Sequence, residues 1–135
     1  MQTSLAARMR PTVALAALLL LLGGCDLFGG DPLRITYQVS ATGARGPVTL
    51  TYDGPDGAVR VEDASVPFSV QVQINSPRVG SVYLLNAETT CTGPCTLALE
   101  VEAALGSTPF TAEDEVRYTG SETETIATQA SILYR

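Results

Sequence analysis

The chain has 135 residues, 45% of them hydrophobic, with 8 basic and 14 acidic side chains and no histidine. Its formal charge of −6 disfavours binding to nucleic acid or electrostatic docking on anionic headgroups, because like charges repel. Without histidine the chain lacks the usual general base, the usual partner of a nucleophilic Ser or Cys and the commonest neutral metal ligand. We therefore predict a protein that is not an enzyme and has no catalytic residues, cofactor or metal site.

The amino-terminal segment has the pattern of an export signal. Arg8 and Arg10 precede an apolar run from Thr12 to Leu22, which has the length of a signal-peptide helix and is short for a transmembrane span. The run ends in Leu22-Gly23-Gly24-Cys25, which resembles the bacterial lipobox. This resemblance implies diacylglycerol on the Cys25 thiol, cleavage after Gly24, and acylation of the new amino terminus by a fatty acid such as palmitate. An ordinary secretory signal with an incidental cysteine is the competing interpretation.

The predicted mature protein is a single acidic domain on a lipid anchor. Cleavage would leave 111 residues with six arginines against fourteen acids, a formal charge of −8, and this length is typical of one domain. Residues 25–33 read as a flexible tether and residues 34–135 as the folded domain. We expect the domain on the extracytoplasmic side of the cell membrane or the outer membrane. Asp26 resembles the inner-membrane retention signal of enteric bacteria, but other phyla do not obey that rule, so the choice of membrane stays open.

After Arg34, apolar and polar residues alternate with a period of two and helical periodicity is absent, which predicts strands. Turns recur every 8 to 12 residues, so we predict an immunoglobulin-like β-sandwich of seven to eight strands, with a small barrel as the alternative. The clearest predicted strands contain Ile35 to Ser40, Val48 to Tyr52, Val59 to Val61, Phe68 to Ile74, Val82 to Ala87, Leu97 to Ala103, and Ile126 to Tyr134.

Two acidic segments are candidate sites with simpler explanations. Asp53-Gly54-Pro55-Asp56-Gly57 is dense in turn-forming residues and predicts a hairpin. Asp53 and Asp56 are also oxygen ligands of the kind calcium prefers, but the turn explains them without an ion. Glu113-Asp114-Glu115 is interpreted as a solvated loop.

The segment Cys91-Thr92-Gly93-Pro94-Cys95 predicts a disulfide. Once Cys25 is lipidated, Cys91 and Cys95 are an even pair in an oxidising compartment. We expect the three intervening residues to turn a hairpin that brings the two cysteines to bridging distance. A redox centre normally has two intervening residues and a helix amino terminus, and zinc would need two further ligands, so a structural bridge is the favoured interpretation.

Several predicted strands resemble the MmpS-type sandwich, the small membrane-tethered accessory domain of mycobacterial lipid exporters. The matching pieces span roughly residues 34 to 103 and carry no catalytic residue to transfer: Tyr37-Gln38-Val39, Val48-Thr49-Leu50-Thr51-Tyr52, Val66-Pro67-Phe68, Gly80 with Val82 to Ala87, and Leu97 to Val101. This chain departs from that family in its lipobox, which stands in place of a transmembrane helix, and in its additional cysteine pair.

Two functions from different classes follow. The first is a non-enzymatic accessory or binding module with an envelope protein partner, for which the resemblance implies a membrane exporter as one candidate. The second is a structural or adhesive surface lipoprotein that binds polysaccharide or other envelope proteins. A sugar-binding face would require exposed aromatic rings, whereas the tyrosines fall mostly in phase with core positions.

Overall fold

The computed structural model describes residues 30–44 and 46–135, and all regular structure within them is β. The strands are β1 (Leu33–Thr42), β2 (Val48–Gly54), β3 (Gly57–Ala64), β4 (Phe68–Ile74), β5 (Val82–Thr92), β6 (Cys95–Leu105), β7 (Thr108–Tyr118) and β8 (Thr123–Leu133). The predicted all-β class is confirmed. The predicted signal helix, the lipobox and Cys25 lie outside the described residues, and no helix suited to crossing a membrane occurs within them.

The eight strands form two four-stranded antiparallel sheets. Sheet A has the order β4-β1-β6-β7 and sheet B the order β3-β2-β5-β8. Sheet B follows the C′-C-F-G order of an immunoglobulin sandwich, and the β4-β1 pair matches E-B. The β6-β7 hairpin occupies the place of strand A. The sandwich prediction is therefore confirmed, and since no strand of one sheet pairs with the other, the barrel alternative is wrong.

The core lies between the sheets because every strand faces it with alternate residues. In β1 the residues Leu33, Ile35, Tyr37 and Val39 are buried, and β6 contributes its own alternating set. Sheet B adds the remaining buried side chains, which are Val48, Leu50, Tyr83, Leu85, Ala87, Thr89, Cys91, Ile126, Ala130 and Ile132. Leu33, the last residue of the predicted tether, is thus a fully buried part of β1.

The two open sides of the sandwich differ. On one side β7 and β8 pack against each other across the sheets, and the Thr128 hydroxyl donates a hydrogen bond to the Asp114 carboxylate. On the other side lie β3 and β4, whose apolar residues remain only half-buried or exposed. The molecule is consequently sealed along β7 and β8 and less covered along β3 and β4.

Of the two hairpins predicted from the sequence, the structure has one and lacks the other. Gly54 pairs with Gly57 across Pro55 and Asp56, as predicted for the β2-β3 hairpin, and Gly57 has a φ of 122°. The predicted hairpin between Cys91 and Cys95 is wrong, because β5 belongs to sheet B and β6 to sheet A. That segment is instead an arch that carries the chain from one sheet to the other.

The second correction concerns the acidic run Glu113-Asp114-Glu115, which lies in strand β7 and not in a loop. The β7 strand does alternate, since Ala112, Val116 and Tyr118 pack against the core from its inner side, but Asp114 interrupts that series and completes three consecutive acidic residues. The loop prediction therefore failed because an acidic residue, Asp114, occupies an inner position of the strand, where it bonds Thr128. In β7, Glu113 and Glu115 share the outer face, and Asp114 points to the opposite side, towards β8.

Candidate functional site

The predicted anchor and the folded domain are close in sequence. Cys25 lies outside the described residues, while β1 begins at Leu33, eight residues further on. Fully extended, eight residues span at most about 29 Å. If Cys25 holds a lipid, the Leu33 end of the sandwich must stay near the bilayer surface.

Cys91 and Cys95 form a disulfide that ties sheet A to sheet B across the β5-β6 arch, with 5.9 Å between their Cα atoms. Cys91 is fully buried and Cys95 is 5% exposed. The connection between β1 and β2 packs against this arch at Gly43. This residue has a φ of 77°, and a Cβ there would collide with the carbonyl oxygen of Pro94. Sulfur atoms in such a setting are poorly accessible to another disulfide, which favours a structural bridge over a redox centre.

The two candidate calcium ligands are placed by the β2-β3 hairpin. Asp53 Oδ2 accepts a hydrogen bond from the Leu84 amide at 2.9 Å, and the Asp53 carbonyl oxygen accepts one from the Tyr37 hydroxyl at 2.8 Å. Asp56 is exposed in the turn. Asp53 therefore has a structural role that requires no ion, and among the described residues no group of three His, Cys, Asp or Glu side chains is placed to hold a metal.

Tyr37 is the buried titratable group of this region. Desolvation raises the pKa of its hydroxyl strongly, and the nearby Asp53 carboxylate adds to the rise. The hydroxyl is consequently neutral over the physiological range and acts as a hydrogen-bond donor. The hydroxyl donates its hydrogen bond to the Asp53 carbonyl oxygen and does not face a cavity. The arrangement therefore supports the fold and offers no acid or base to a substrate.

The outer face of sheet A carries an acidic patch formed by Glu100, Glu102, Glu113 and Glu115 on β6 and β7. Arg117 pairs with Glu115 at 2.6 Å and offsets part of its charge. Glu100 is directly opposite Glu113 in the register. The patch borders a depression of about 520 Å³ that also includes Gln38, Ser40 and Ser69. Like charges placed opposite each other on a sheet destabilise it, and their field attracts cations.

The outer face of sheet B is polar and nearly neutral. Thr51, Asn86 and Gln129 lie side by side across β2, β5 and β8 and border a shallow depression of about 470 Å³. Arg60 at its rim pairs with Glu62 at 3.2 Å, and both side chains are exposed. A surface ion pair of this kind contributes little energy, and this face offers no reactive chemistry.

The aromatic side chains of the described residues follow the core phase. Tyr37 and Tyr83 are buried, and further rings pack against the core from partly buried positions: Tyr52, Phe68, Tyr118 and Tyr134. Phe110 is 38% exposed but lies opposite buried Ala103 at the edge of sheet A. No planar group of rings therefore covers an outer face in this part of the chain.

Sequence reasoning missed which strands are edges. It identified Phe68 to Ile74 as a regular amphipathic strand, but the alternation of a strand does not reveal its neighbours.

A comparison of the full chain with known proteins adds no relative: no model of a protein family matches it, and no curated protein gives a significant match.

Proposed function

We propose that the protein is a lipid-anchored lipoprotein of the cell envelope that acts as a non-enzymatic binding or accessory module. The lipobox Leu22-Gly23-Gly24-Cys25 is the observation that carries this proposal. Two acyl chains anchor a protein stably, since each buried methylene contributes about 0.8 kcal/mol. The buried Cys91–Cys95 disulfide supports an oxidising, extracytoplasmic location.

The partner is a protein of the envelope, and a membrane exporter is one candidate. The acidic patch on sheet A supports this, because a field of one sign steers an oppositely charged partner. The absence of aromatic rings from the described outer faces weighs against the alternative, a surface adhesin that binds polysaccharide by stacking. We accordingly propose a basic segment of a membrane protein as the ligand of the acidic patch.

The anchor is tested by Cys25→Ala, expressed from the full precursor. We expect the variant to lose fatty-acid labelling and to leave the membrane fraction, because no other described feature holds the domain there. Cys91→Ala/Cys95→Ala is the matched control and should keep both properties. Unchanged labelling of Cys25→Ala would contradict the lipoprotein assignment.

The binding role is tested by crosslinking in native membranes. Partners captured by the wild-type protein are compared with those captured by Glu100→Gln/Glu113→Gln and by the control Asp56→Asn, which removes charge away from the patch. We expect the first variant to lose a specific protein partner and the control to retain it. A partner that both variants retain would show that the patch is not the binding surface.

A further inference from the structure

The four outer strands of the two sheets are not equally protected against pairing with another chain. An edge strand exposes unpaired N–H and C=O groups, and proteins protect such edges with charges, bulges or packing. Within the described residues the edges are β3 and β8 of sheet B and β4 and β7 of sheet A.

Three of these edges carry recognisable protection. The β7 strand holds the acidic run of residues 113–115. The β8 strand has a single charge, Glu124 near its start, and is protected by its packing against β7, where Thr128 bonds Asp114. The β3 strand carries Arg60, Glu62 and Asp63 and is interrupted by a register shift. Another strand would meet charge at β7, charge and irregular geometry at β3, and the packed β7 strand beside β8.

The fourth edge, β4, has none of these devices. Its sequence, Phe68 to Ile74 (FSVQVQI), contains no charged residue, proline or glycine, and its register with β1 is continuous from one end to the other. Short uncharged segments with high β-propensity are those that pair readily with other strands. The inward residues Phe68, Val70, Val72 and Ile74 are only half-buried, so they have apolar surface left to cover.

The β4 sequence is complementary to itself. In an antiparallel pair of two β4 strands centred on Gln71, each Gln71 faces its own copy, Val70 faces Val72, and Phe68 faces Ile74. Because side chains alternate with a period of two, apolar residues meet apolar residues on the inner side and polar residues meet polar residues on the outer side. A two-fold axis generates this arrangement from one surface.

Electrostatics also favour β4 over β7 as the contact between copies. The chain is acidic, and two β7 edges would bring their glutamates together. In a β4-β4 contact the two β6 strands would be five strand spacings apart, about 24 Å. That is roughly three Debye lengths at physiological ionic strength, so the two acidic patches would be largely screened from each other.

We propose that two copies of this protein associate through antiparallel pairing of their β4 strands, which joins the two A sheets into one continuous eight-stranded sheet. The paired strands satisfy each other's backbone groups and cover the half-buried apolar residues beside them. Both acidic patches then lie on the same extended sheet, towards its two outer ends.

The position of the contact is tested with two cysteine variants of the full chain in membranes. Gln71→Cys lies on the outer side of β4, and the matched control Thr111→Cys lies at the corresponding outer position of the β7 edge. We expect mild oxidation to link the first variant, and not the second, into a covalent dimer. A crosslink from position 71 to a protein of different mass, or equal dimer formation at both positions, would overturn the proposal.

The energetics are tested by charge exchange at Gln71 with two differently tagged copies extracted in detergent. Gln71→Lys in both copies places two cations opposite each other and should lower the co-purified fraction several-fold, since like charges in register repel. Pairing a Gln71→Lys copy with a Gln71→Glu copy should restore it, and Thr111→Lys on β7 should have no effect. A co-purified fraction that does not respond to Gln71→Lys, or that is absent in the wild type, would refute the β4 contact.

Discussion

At the scale of single residues, Tyr37 and Asp53 connect three strands of the two sheets. The Tyr37 ring is buried in sheet A and lies 5.2 Å from the ring of Tyr52 on β2. Its hydroxyl bonds the Asp53 backbone, while the Asp53 carboxylate bonds the amide of Leu84 on β5. This pair positions the β2-β3 hairpin against the core and explains why an aspartate stands at the end of β2.

We expect Tyr37→Phe to lower the free energy of unfolding by about 1 to 1.5 kcal/mol, because the Asp53 carbonyl loses its donor while the ring and its packing remain. Tyr52→Phe is the control, since the Tyr52 hydroxyl takes part in none of the hydrogen bonds found among the described residues. Urea denaturation at neutral pH measures both. Equal effects of the two substitutions would contradict the role assigned to the Tyr37 hydroxyl.

The same hydrogen bond predicts a pH dependence. Burial raises the pKa of Tyr37 in the folded state, so the neutral form is favoured by folding and its contribution is complete below the unfolded pKa of about 10. That contribution is lost as the pH rises above this value. We expect the difference in stability between wild type and Tyr37→Phe to shrink, and then reverse, at strongly alkaline pH. A difference that grew above pH 10 would be inconsistent with this sign.

At the scale of elements, local alternation was sufficient to predict the interior strands. The buried phase of β1 and β6 reads directly from residues such as Ile35, Tyr37 and Val101. In β7 the inward-facing Asp114 concealed the alternation, and alternation by itself cannot distinguish a hairpin from an arch. The segment from Cys91 to Cys95 has hairpin-like composition, but which sheet β6 joins is decided by pairing with β1, more than fifty residues earlier in the chain.

The same limit applies to the candidate sites. The disulfide was predictable because Cys91 and Cys95 are the only cysteines after Cys25. The acidic patch was not, since Glu100 and Glu113 become neighbours only through the β6-β7 register. The exposure of β4 was hidden for a similar reason, because strand order depends on contacts between distant parts of the chain.

The β5-β6 arch predicts the effect of removing its disulfide. Replacing Cys91 and Cys95 by alanine should lower the free energy of unfolding by about 2 kcal/mol, the loop-closure value for so short a loop. Alanine is preferred to serine here because buried hydroxyl groups without partners would add a separate cost. Thermal or urea unfolding of the wild type with and without a reductant should give a similar difference. A loss of secondary structure in the double variant would show that the bridge is needed for the fold itself.

At the scale of the whole molecule, the two sides of the sandwich differ in packing and in charge. The side formed by β7 and β8 is closed by direct packing and by the bond between Thr128 and Asp114. The side formed by β3 and β4 keeps apolar surface accessible, and β4 is uncharged. The acidic residues of β7 thus lie on the closed side, and the opposite side is the one we propose for association. The two proposals are compatible, because pairing through β4 would leave the acidic patch on β6 and β7 free.

The hydrogen bond between Thr128 and Asp114, on the side formed by β7 and β8, predicts a pH dependence. The hydrogen bond from Thr128 lowers the pKa of Asp114 below the ordinary aspartate value. A lowered folded pKa stabilises the protein above the unfolded pKa, and this contribution is lost as the pH falls through the folded value. We expect Thr128→Val to raise the pKa of Asp114 in a carboxyl NMR titration, and to reduce stability more at pH 7 than in acid. Thr125→Val, a solvent-facing control on β8, should leave the titration of Asp114 unchanged. An Asp114 pKa that Thr128→Val does not move would contradict the role assigned to this hydrogen bond.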